Sequence, residues 1–269
     1  MVTGASRGIG AAIATRLAQA GANVVLFAKS GLDAPGPLPG SVDEVAENIR
    51  AAGGRALPFV GDLRIEDVIA SAVEESVGEF GGLDIVVNNA AAFDTTPTAR
   101  ISMKRYDLLH QINARGSFAL TRAALPHLLS SEHAHVLTIS PPLTIDAKWL
   151  GPHTAYTISK YSMSLMTLGL AAEFADRPIA ANSLWPSASV ATEAIRTILG
   201  EKVASGHSRS PQIMADAAVH ILSQDPRDFT GRLVTDEEVL REAGVDDLGS
   251  YLLGGTEAEL SPSWFLPEV

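Results

Sequence analysis

Apolar runs of strand length alternate along this chain with segments of helical periodicity, and this alternation limits the folds that it can adopt. Strands that are apolar throughout and joined by helices are typical of βαβ units, whose right-handed crossovers place helices on both faces of a parallel sheet. We therefore predict an α/β fold with a doubly wound, Rossmann-like parallel sheet in a single domain. The predicted strands are 23–28, 56–61, 83–89, 134–140 and 179–185, and the predicted helices are 9–20, 42–52, 65–79, 102–129 and 154–175.

The two ends of the chain carry expectations of their own. Few residues precede Gly4, so the first strand is shorter than the usual length of about five or six residues, which suggests that the natural start lies upstream. We expect residues 1–245 to form the folded domain and residues 246–269 to form a tail packed on it. The Gly- and Pro-rich stretch 31–40 is predicted to be a surface loop.

Composition and charge exclude several classes of function. The net charge of −11 argues against a nucleic-acid-binding surface, which needs clustered positive charge. The chain has no cysteine, and His133 and His135 have no further ligands near them in sequence, so no metal site is predicted. Neither end carries a secretion signal, a long apolar span or a sorting tripeptide; we expect no membrane span and a cytoplasmic location.

A glycine-rich stretch, VTGASRGIG at 2–10, lies where the first strand turns into the first helix. Gly4, Gly8 and Gly10 let the backbone turn tightly and let a pyrophosphate approach the amide groups, while the N-terminus of the helix favours phosphate. A tight turn without a ligand is the alternative. Three glycines that open an alternating chain favour dinucleotide binding.

The end of the second strand indicates which dinucleotide is bound. An acidic residue there would bind the ribose hydroxyls of NAD, but this strand ends in Lys29 and Ser30, with no acid before Asp33. Lys29 attracts a 2′-phosphate, and Arg7 in the glycine turn is placed to reach the same group. We predict NADP(H) in preference to NAD(H); the alternative is that both side chains are ordinary surface cations.

Tyr156 and Lys160 are four residues apart, so on a helix they share one face. The pKa of a phenol in water is about 10, and an adjacent ammonium lowers it, so that the pair can donate and accept a proton. A buried tyrosine beside a lysine that extends to solvent is the alternative. The positions of three motifs favour the proton-transfer interpretation. Each of them follows a strand, at the sheet edge where ligands bind: the glycine turn, NNA at 88–90, and the Tyr156–Lys160 pair.

Together these motifs resemble those of the short-chain dehydrogenase/reductases over nearly the whole chain. The resemblance implies that residues 1–245 bind NADP(H) and transfer hydride between the nicotinamide and a carbonyl or alcohol. The matching stretches are TGASRGIG (3–10), GDL (61–63), NNA (88–90), QINARG (111–116) and YTISK (156–160). Further stretches resemble one particular member of the family: AKS (28–30), ISPPL (139–143), AYTISKYSMS (155–164), LWPS (184–187) and FTGRLVTDEEVL (229–240).

The resemblance also implies roles for individual residues. Tyr156 would exchange a proton with the substrate oxygen, Lys160 would lower the pKa of the tyrosine and bond the nicotinamide ribose, and Asn113 would hold a water. The alternative for Asn113 is to cap or kink its helix. For the cofactor, the resemblance implies that Asp62 and Leu63 lie along the adenine, that Asn88 and Ala90 lie near the adenine-side ribose, and that Pro186 and Thr192 flank the nicotinamide amide. The other implied cofactor-binding residues are Gly4, Ser6, Arg7, Gly8, Ile9, Gly10, Lys29, Tyr156 and Lys160.

The serine that assists the tyrosine in this family is missing from its usual place. Counting thirteen residues back from Tyr156 gives Leu143, and aligning from the fifth strand gives a proline, so neither position has a hydroxyl. Ser140 and Thr144 are the nearby hydroxyls. We predict Ser140 as the catalytic one; its alternative role is to end the strand. A second departure is Ser187, where the family usually has glycine after proline.

Two functions stay open at this point. An NADP(H)-dependent oxidoreductase acting on a hydrophobic carbonyl or alcohol is favoured by Asn113, Tyr156 and Lys160. A dinucleotide-binding sensor or scaffold with little or no turnover is favoured by the missing serine. The family also implies a homodimer or homotetramer, associated through helices 102–129 and 154–175. The apolar residues expected near the mouth of the site are Phe93, Trp149, Leu150 and Trp185.

Overall fold

A parallel sheet of seven strands forms the centre of the protein, in the order β3-β2-β1-β4-β5-β6-β7. The computed structural model describes residues 1–266, and their side chains apart from those of residues 194, 198, 199 and 203. The sheet confirms the predicted doubly wound, Rossmann-like fold. Its strands are β1 Val2–Thr3, β2 Asn23–Ala28, β3 Arg55–Val60, β4 Ile85–Asn88, β5 Ala134–Ile139, β6 Ile179–Trp185 and β7 Leu233–Thr235. β1 has two residues, as the sequence predicts, yet it pairs with both β2 and β4.

The helices follow the predicted segments with two main differences. The predicted helix 102–129 is interrupted by a π-helical segment, His110–Gly116, and a helix at 212–222 was not predicted. The helices are α1 Gly8–Gln19, α2 Val42–Ala51, α3 Glu66–Phe80, α4 Met103–Leu109, α5 Ser117–Leu128, α6 Ala147–Leu150, α7 Thr154–Glu173, α8 Glu193–Leu199, α9 Glu201–Gly206, α10 Gln212–Leu222 and α11 Asp236–Glu242.

Helices cover both faces of the sheet, and the side chains of β2 show how the faces are divided. Successive residues of a strand point to opposite faces. Val24 and Leu26 pack in the hydrophobic cluster that contains α1, α2 and α10, whereas Val25 and Phe27 pack in the cluster that contains α3 and α5. The sheet is therefore buried on both sides. Within residues 1–266, no helix is long and apolar enough to span a membrane.

The π-helical segment arises where a buried asparagine binds a neighbouring loop. Asn113 Oδ1 accepts from the backbone N–H of Ala92 at 2.7 Å, and its Nδ2 donates to the carbonyl oxygen of Ala92 at 3.0 Å. Nδ2 also donates to Ser159 Oγ of α7 at 2.9 Å. A π turn adds one residue to a helical turn and so redirects the side chain it carries. The widened turn thus holds Asn113 between the loop after β4 and α7, and the prediction of one continuous helix was wrong here.

The predicted surface loop at 31–40 is fastened to the turn after β1. Arg7 donates to three consecutive carbonyl oxygens, those of residues 38–40, at 2.7 to 3.0 Å. It also donates to Ser30 Oγ at 3.0 Å. The loop is therefore held against the start of α1 by one guanidinium group.

Candidate active site

The glycine-rich turn joins β1 to α1 as predicted, and its conformation requires glycine. Gly4 and Gly8 have φ angles of 64° and 56°, in the left-handed region that residues with a side chain rarely adopt. A Cβ on Gly10 would lie 2.5 Å from the carbonyl oxygen of Gly4 and would also overlap the side-chain amide of Asn89. The start of α1 therefore packs tightly on the turn, which places its N-terminus, favourable for phosphate, at the cleft.

The two asparagines at the end of β4 divide between the core and the cleft. Asn88 is buried and donates to Thr121 Oγ1 at 3.0 Å, so its side chain faces the core; its place near the adenine-side ribose stays a prediction. Asn89, to which the sequence analysis gave no role, donates to the carbonyl oxygen of Thr3 at 2.8 Å and lines the cleft. Alternation along the strand explains the difference, because neighbouring side chains face opposite sides.

A cleft runs along the carboxyl ends of the strands, from the glycine turn to α7. Its volume of about 440 Å³ lies within the range of small-molecule sites, about 300–1,000 Å³. Pro186 lines an adjoining apolar pocket, whereas Asn88, Asn113 and Ser140 belong to neither lining. The predicted site residues that line the cleft are Gly4, Ser6, Arg7, Gly8, Ile9, Gly10, Lys29, Asp62, Leu63, Ala90, Tyr156, Lys160 and Thr192.

Charged residues that follow β2 and β3 pair with one another at the cleft. Lys29 Nζ lies 3.1 Å from Asp62 Oδ2, and Arg64 donates to both oxygens of the same carboxylate, through Nε to Oδ1 at 3.0 Å and through Nη2 to Oδ2 at 2.5 Å. The hydrogen bonds from Arg64, together with those from Lys29, hold the pKa of Asp62 well below its usual range. The Lys29 side chain is 59% exposed, so its ammonium stays accessible to a ligand.

Tyr156 and Lys160 lie one turn apart in α7, and both are buried. Lys160 Nζ donates to the carbonyl oxygen of Ile139, the last residue of β5, at 2.5 Å and lies 5.2 Å from the ring centre of Trp185. Burial lowers the pKa of Lys160 to about 7 and raises the pKa of Tyr156. The pKa of Tyr156 rises because the buried phenolate loses hydration while the ammonium of Lys160 is directed at Ile139. The lowering of the tyrosine pKa by Lys160 stays a prediction.

The hydroxyls near the expected serine position are set back from the cleft. Ser140 is fully buried, and its Oγ has no hydrogen-bond partner among residues 1–266. The carbonyl oxygen of Thr144 accepts from the hydroxyl of Tyr161 at 2.8 Å, and Leu143 is partly exposed. The residues that line the cleft and the pocket include none from 140–144. The catalytic assignment of Ser140 stays a prediction.

The apolar pocket opens from the cleft at Tyr156, and the C-terminal segment supplies part of its wall. Phe93 and Trp185, which were expected near the mouth, line the pocket. Ser263 and Trp264 also line it and were not predicted. The signal that could have found them is the adjacent aromatic pair at 264–265.

Comparison with known proteins agrees with this geometry. A family model described as short chain dehydrogenase matches residues 1–201. The chain is 46% identical over 267 residues to hydroxysteroid dehydrogenase-like protein 2 of Xenopus tropicalis, which confirms the resemblance to one family member seen in 139–143 and 155–164. The match covers 99% of this chain and 63% of the relative, so the chain spans less than two thirds of that protein's length.

Two solved structures share the fold. A short chain dehydrogenase from Mycobacterium thermoresistibile superimposes with a TM-score of 0.91 and 44% identity, over 98% of this chain and 93% of that one. A metagenomic short-chain oxidoreductase in complex with NADP superimposes with a TM-score of 0.71 and 27% identity, over 87% of this chain and 94% of that one. The architecture around the cleft therefore has counterparts of known structure.

Proposed function

Because this chain belongs to the short-chain dehydrogenase family, we propose that it is an NADP(H)-dependent oxidoreductase of carbonyl or alcohol substrates with Tyr156 as its proton donor and acceptor. The observation that carries the proposal is the single cleft that joins the glycine turn to Tyr156 and Lys160. Phosphate-binding backbone and a proton-transfer pair thereby face one space. The reacting group of the substrate would enter from the apolar pocket that adjoins this cleft.

The residues of the cleft fit a dinucleotide. The glycine turn and the α1 N-terminus offer amide groups to the pyrophosphate, and Gly10 lets α1 pack closely on the turn. When bound, NADP(H) supplies or accepts the hydride. The residues proposed to contact the remainder of the cofactor are Asp62, Leu63, Ala90, Pro186 and Thr192.

We assign the preference for NADP(H) first to Lys29. Its exposed ammonium follows β2, where a carboxylate would repel a 2′-phosphate, and one structural relative is described in complex with NADP. Arg7 contributes less, because residues 38–40 already accept several of its hydrogen bonds. The test is the ratio of kcat/KM with NADPH to that with NADH, which Lys29→Ala should lower. A preference of the wild type for NADH would overturn the assignment.

The proton chemistry follows from the surroundings of Tyr156. Reduction of a carbonyl requires a proton on its oxygen as the hydride reaches its carbon, and oxidation requires the reverse. Burial keeps the phenol of Tyr156 protonated, which suits donation. An ammonium on Lys160 that turns from Ile139 toward the phenol lowers the cost of forming phenolate. Asn113 holds α7 to the loop after β4 and so fixes the position of the pair, in addition to the water contact that the family implies.

Two substitutions test this chemistry. Tyr156→Phe should abolish NADPH oxidation by carbonyl compounds while leaving the Kd for NADPH unchanged, since the ring stays and only the hydroxyl is lost. Ser140→Ala should lower kcat by about 10²–10³ if Ser140 donates to the substrate oxygen. An unchanged kcat would show that Ser140 only ends β5 and does not take part in catalysis. Equal turnover by wild type and Tyr156→Phe would overturn the mechanism.

A binding protein without turnover is the second candidate, and a specific observation favours it. Neither Leu143 nor Pro141, the two positions at which the usual serine is expected, has a hydroxyl, and the nearby hydroxyl of Ser140 is buried. A sensor or scaffold would bind NADPH and leave it unoxidised across a broad panel of carbonyl compounds. The same panel therefore decides between the two functions.

We further propose that the chain associates as a homodimer or homotetramer through α5 and α7. Phe118 on α5, and Ile158 and Leu165 on α7, are apolar side chains that are exposed in the single chain. Analytical ultracentrifugation of the wild type and of Leu165→Glu measures this, and the variant should sediment as a smaller species. A monomeric wild type would refute the proposal.

A further inference from the structure

The pocket beside Tyr156 is small and apolar. Its volume of about 170 Å³ is below the range of about 300–1,000 Å³ that is typical of small-molecule sites. Its walls include Ile9, Phe93, Trp185 and Val190, and among the described residues that line it no side chain is charged. A charged group of a substrate would lose its hydration there without gaining a partner. The pocket therefore suits an uncharged reacting group.

One wall of this pocket is the strap, which we define as residues 261–266. Backbone hydrogen bonds attach it to the loop that follows β6. The N–H of Ser189 donates to the carbonyl oxygen of Ser261 at 2.8 Å, and the N–H of Ser263 donates to the carbonyl oxygen of Ser187 at 3.1 Å. The strap thus runs beside the loop that carries the rest of this wall.

Two indole groups hold the strap on either side of Phe265. Trp185 Nε1 donates to the carbonyl oxygen of Trp264 at 2.8 Å, and Trp149 Nε1 donates to that of Leu266 at 3.0 Å. Phe265 is 1% exposed and has a φ of 67°, a conformation that a residue with a side chain rarely adopts. Such a conformation persists where the surrounding structure over-determines it. The strap is therefore a built part of the pocket.

The two aromatic side chains of the strap occupy the space next to the proposed reacting hydroxyl. The ring centre of Phe265 lies 6.1 Å from that of Tyr156. The ring of Trp264 stacks on His153, with 4.9 Å between centres and 13° between planes, and lies 5.7 Å from the ring of Phe93. Trp264 lines the pocket, and the buried ring of Phe265 lies behind it and anchors the strap.

We propose that Trp264, held in place by the strap, sets an upper size limit on the substrate, so that the enzyme acts on compact, uncharged carbonyl compounds and the matching alcohols. The proposal rests on the proposed function, because it takes the pocket at Tyr156 as the substrate site. Trp264 is the position at which the limit can be relaxed, since its ring is only partly buried. Phe265 is enclosed by the rings of four other aromatic residues.

The test compares two ketones that differ in bulk but share one functional group, cyclohexanone and the bicyclic decalone. For each, kcat/KM is measured with NADPH, and Kd is measured by isothermal titration calorimetry on the protein saturated with NADP⁺. Trp264→Ala should raise the ratio of decalone to cyclohexanone by at least about 10-fold, the size of effect that a few methylene groups have in an apolar pocket. Trp264→Phe, which retains an aromatic wall, should give an intermediate ratio.

Leu253→Ala is the matched control, because Leu253 is an exposed apolar residue of the same C-terminal region and does not line the pocket. Its ratio should equal that of the wild type. A ratio in Trp264→Ala that stays within about twofold of the wild type would overturn the size limit while leaving the oxidoreductase intact. If no variant turns over either ketone, the proposed function fails, and the ratio of Kd values alone decides whether Trp264 limits size.

Discussion

Replacing Lys160 with methionine is expected to stabilise the folded protein at neutral pH, although it removes a member of the proposed catalytic pair. Lys160 is 2% exposed, and burial lowers its pKa from the ordinary 10.5 to about 7. In the unfolded chain the ammonium is hydrated and keeps the ordinary pKa. At pH values between about 7 and 10.5, the unfolded chain binds more protons than the folded chain does, so the contribution of Lys160 to the free energy of unfolding rises with pH.

The size of the effect follows from the shift. Each pH unit within this window changes the free energy of unfolding by about 1.4 kcal/mol, so the wild type gains about 2 kcal/mol between pH 7 and pH 9. Below pH 7 both states carry the ammonium, and the cost of burying it is present in full. Lys160→Met lacks this cost. Its advantage over the wild type should therefore be largest at and below pH 7 and should shrink as the pH rises.

This difference is measured by urea unfolding of the cofactor-free protein, followed by circular dichroism at pH 6, 7, 8 and 9. The pH series covers part of the window of about 7 to 10 in which the unfolded chain holds the extra proton. Because the series stops below pH 10, tyrosines stay protonated in the unfolded chain, and the raised pKa of Tyr156 does not contribute to the pH dependence. Lys104→Met changes the same residue type at an exposed position and serves as the control. A stability difference between wild type and Lys160→Met that does not vary with pH would refute the reasoning.

Three further substitutions have definite expected outcomes. Asn113→Leu should lower the free energy of unfolding by about 1–3 kcal/mol in urea titrations, because the buried backbone groups of Ala92 lose their partner; an unchanged midpoint would contradict this role. Gly10→Ala should lower the free energy of unfolding by about 1–3 kcal/mol, because its Cβ would overlap the carbonyl oxygen of Gly4 and the side chain of Asn89. The resulting shift of the glycine turn should weaken NADPH binding measured by calorimetry, and an affinity equal to that of the wild type would contradict this. Ser187→Gly restores the residue usual in the family, yet it should destabilise by about 1–3 kcal/mol, because the buried carboxylate of Asp236 loses a hydroxyl donor; a stability gain on thermal denaturation would show that this bond is dispensable.

The strands could be predicted because their signal is local. β2 and β6 occupy the predicted ranges, 23–28 and 179–185, since a parallel strand that is buried on both faces consists mostly of apolar residues. The glycine turn was predictable for a similar reason, because a positive φ at Gly4 and Gly8 leaves few residue types to choose from.

Elements that depend on distant contacts could not be predicted in this way. α10 is a different case, because the seven buried residues among its eleven share one face, and this stripe of helical period was missed in the sequence. The interruption between α4 and α5 depends on a contact between Asn113 and Ala92, 21 residues apart. The strap depends on a bond from Trp185 to Trp264, 79 residues apart. Sequence periodicity carries no information about such pairs.

The candidate site shows the same division. The spacing of Tyr156 and Lys160 predicted that they share a face of α7, and it did not predict that Lys160 bonds to the end of β5. NNA at 88–90 lies at the edge of the cleft, but which asparagine faces the cleft depends on where β4 ends. Residue types and spacings thus predicted which segments meet at the cleft, whereas side-chain directions required the fold.

The three tryptophans of the chain give the strap an optical consequence. Trp149 and Trp185 donate to its carbonyl groups, and Trp264 belongs to it, so each of the three indoles contacts the strap or forms part of it. Tryptophan emission from the unlabelled protein therefore reports on the strap and its surroundings. Entry of a ketone, or displacement of the strap, will change the intensity or wavelength of that emission, and stopped-flow recording can time the event.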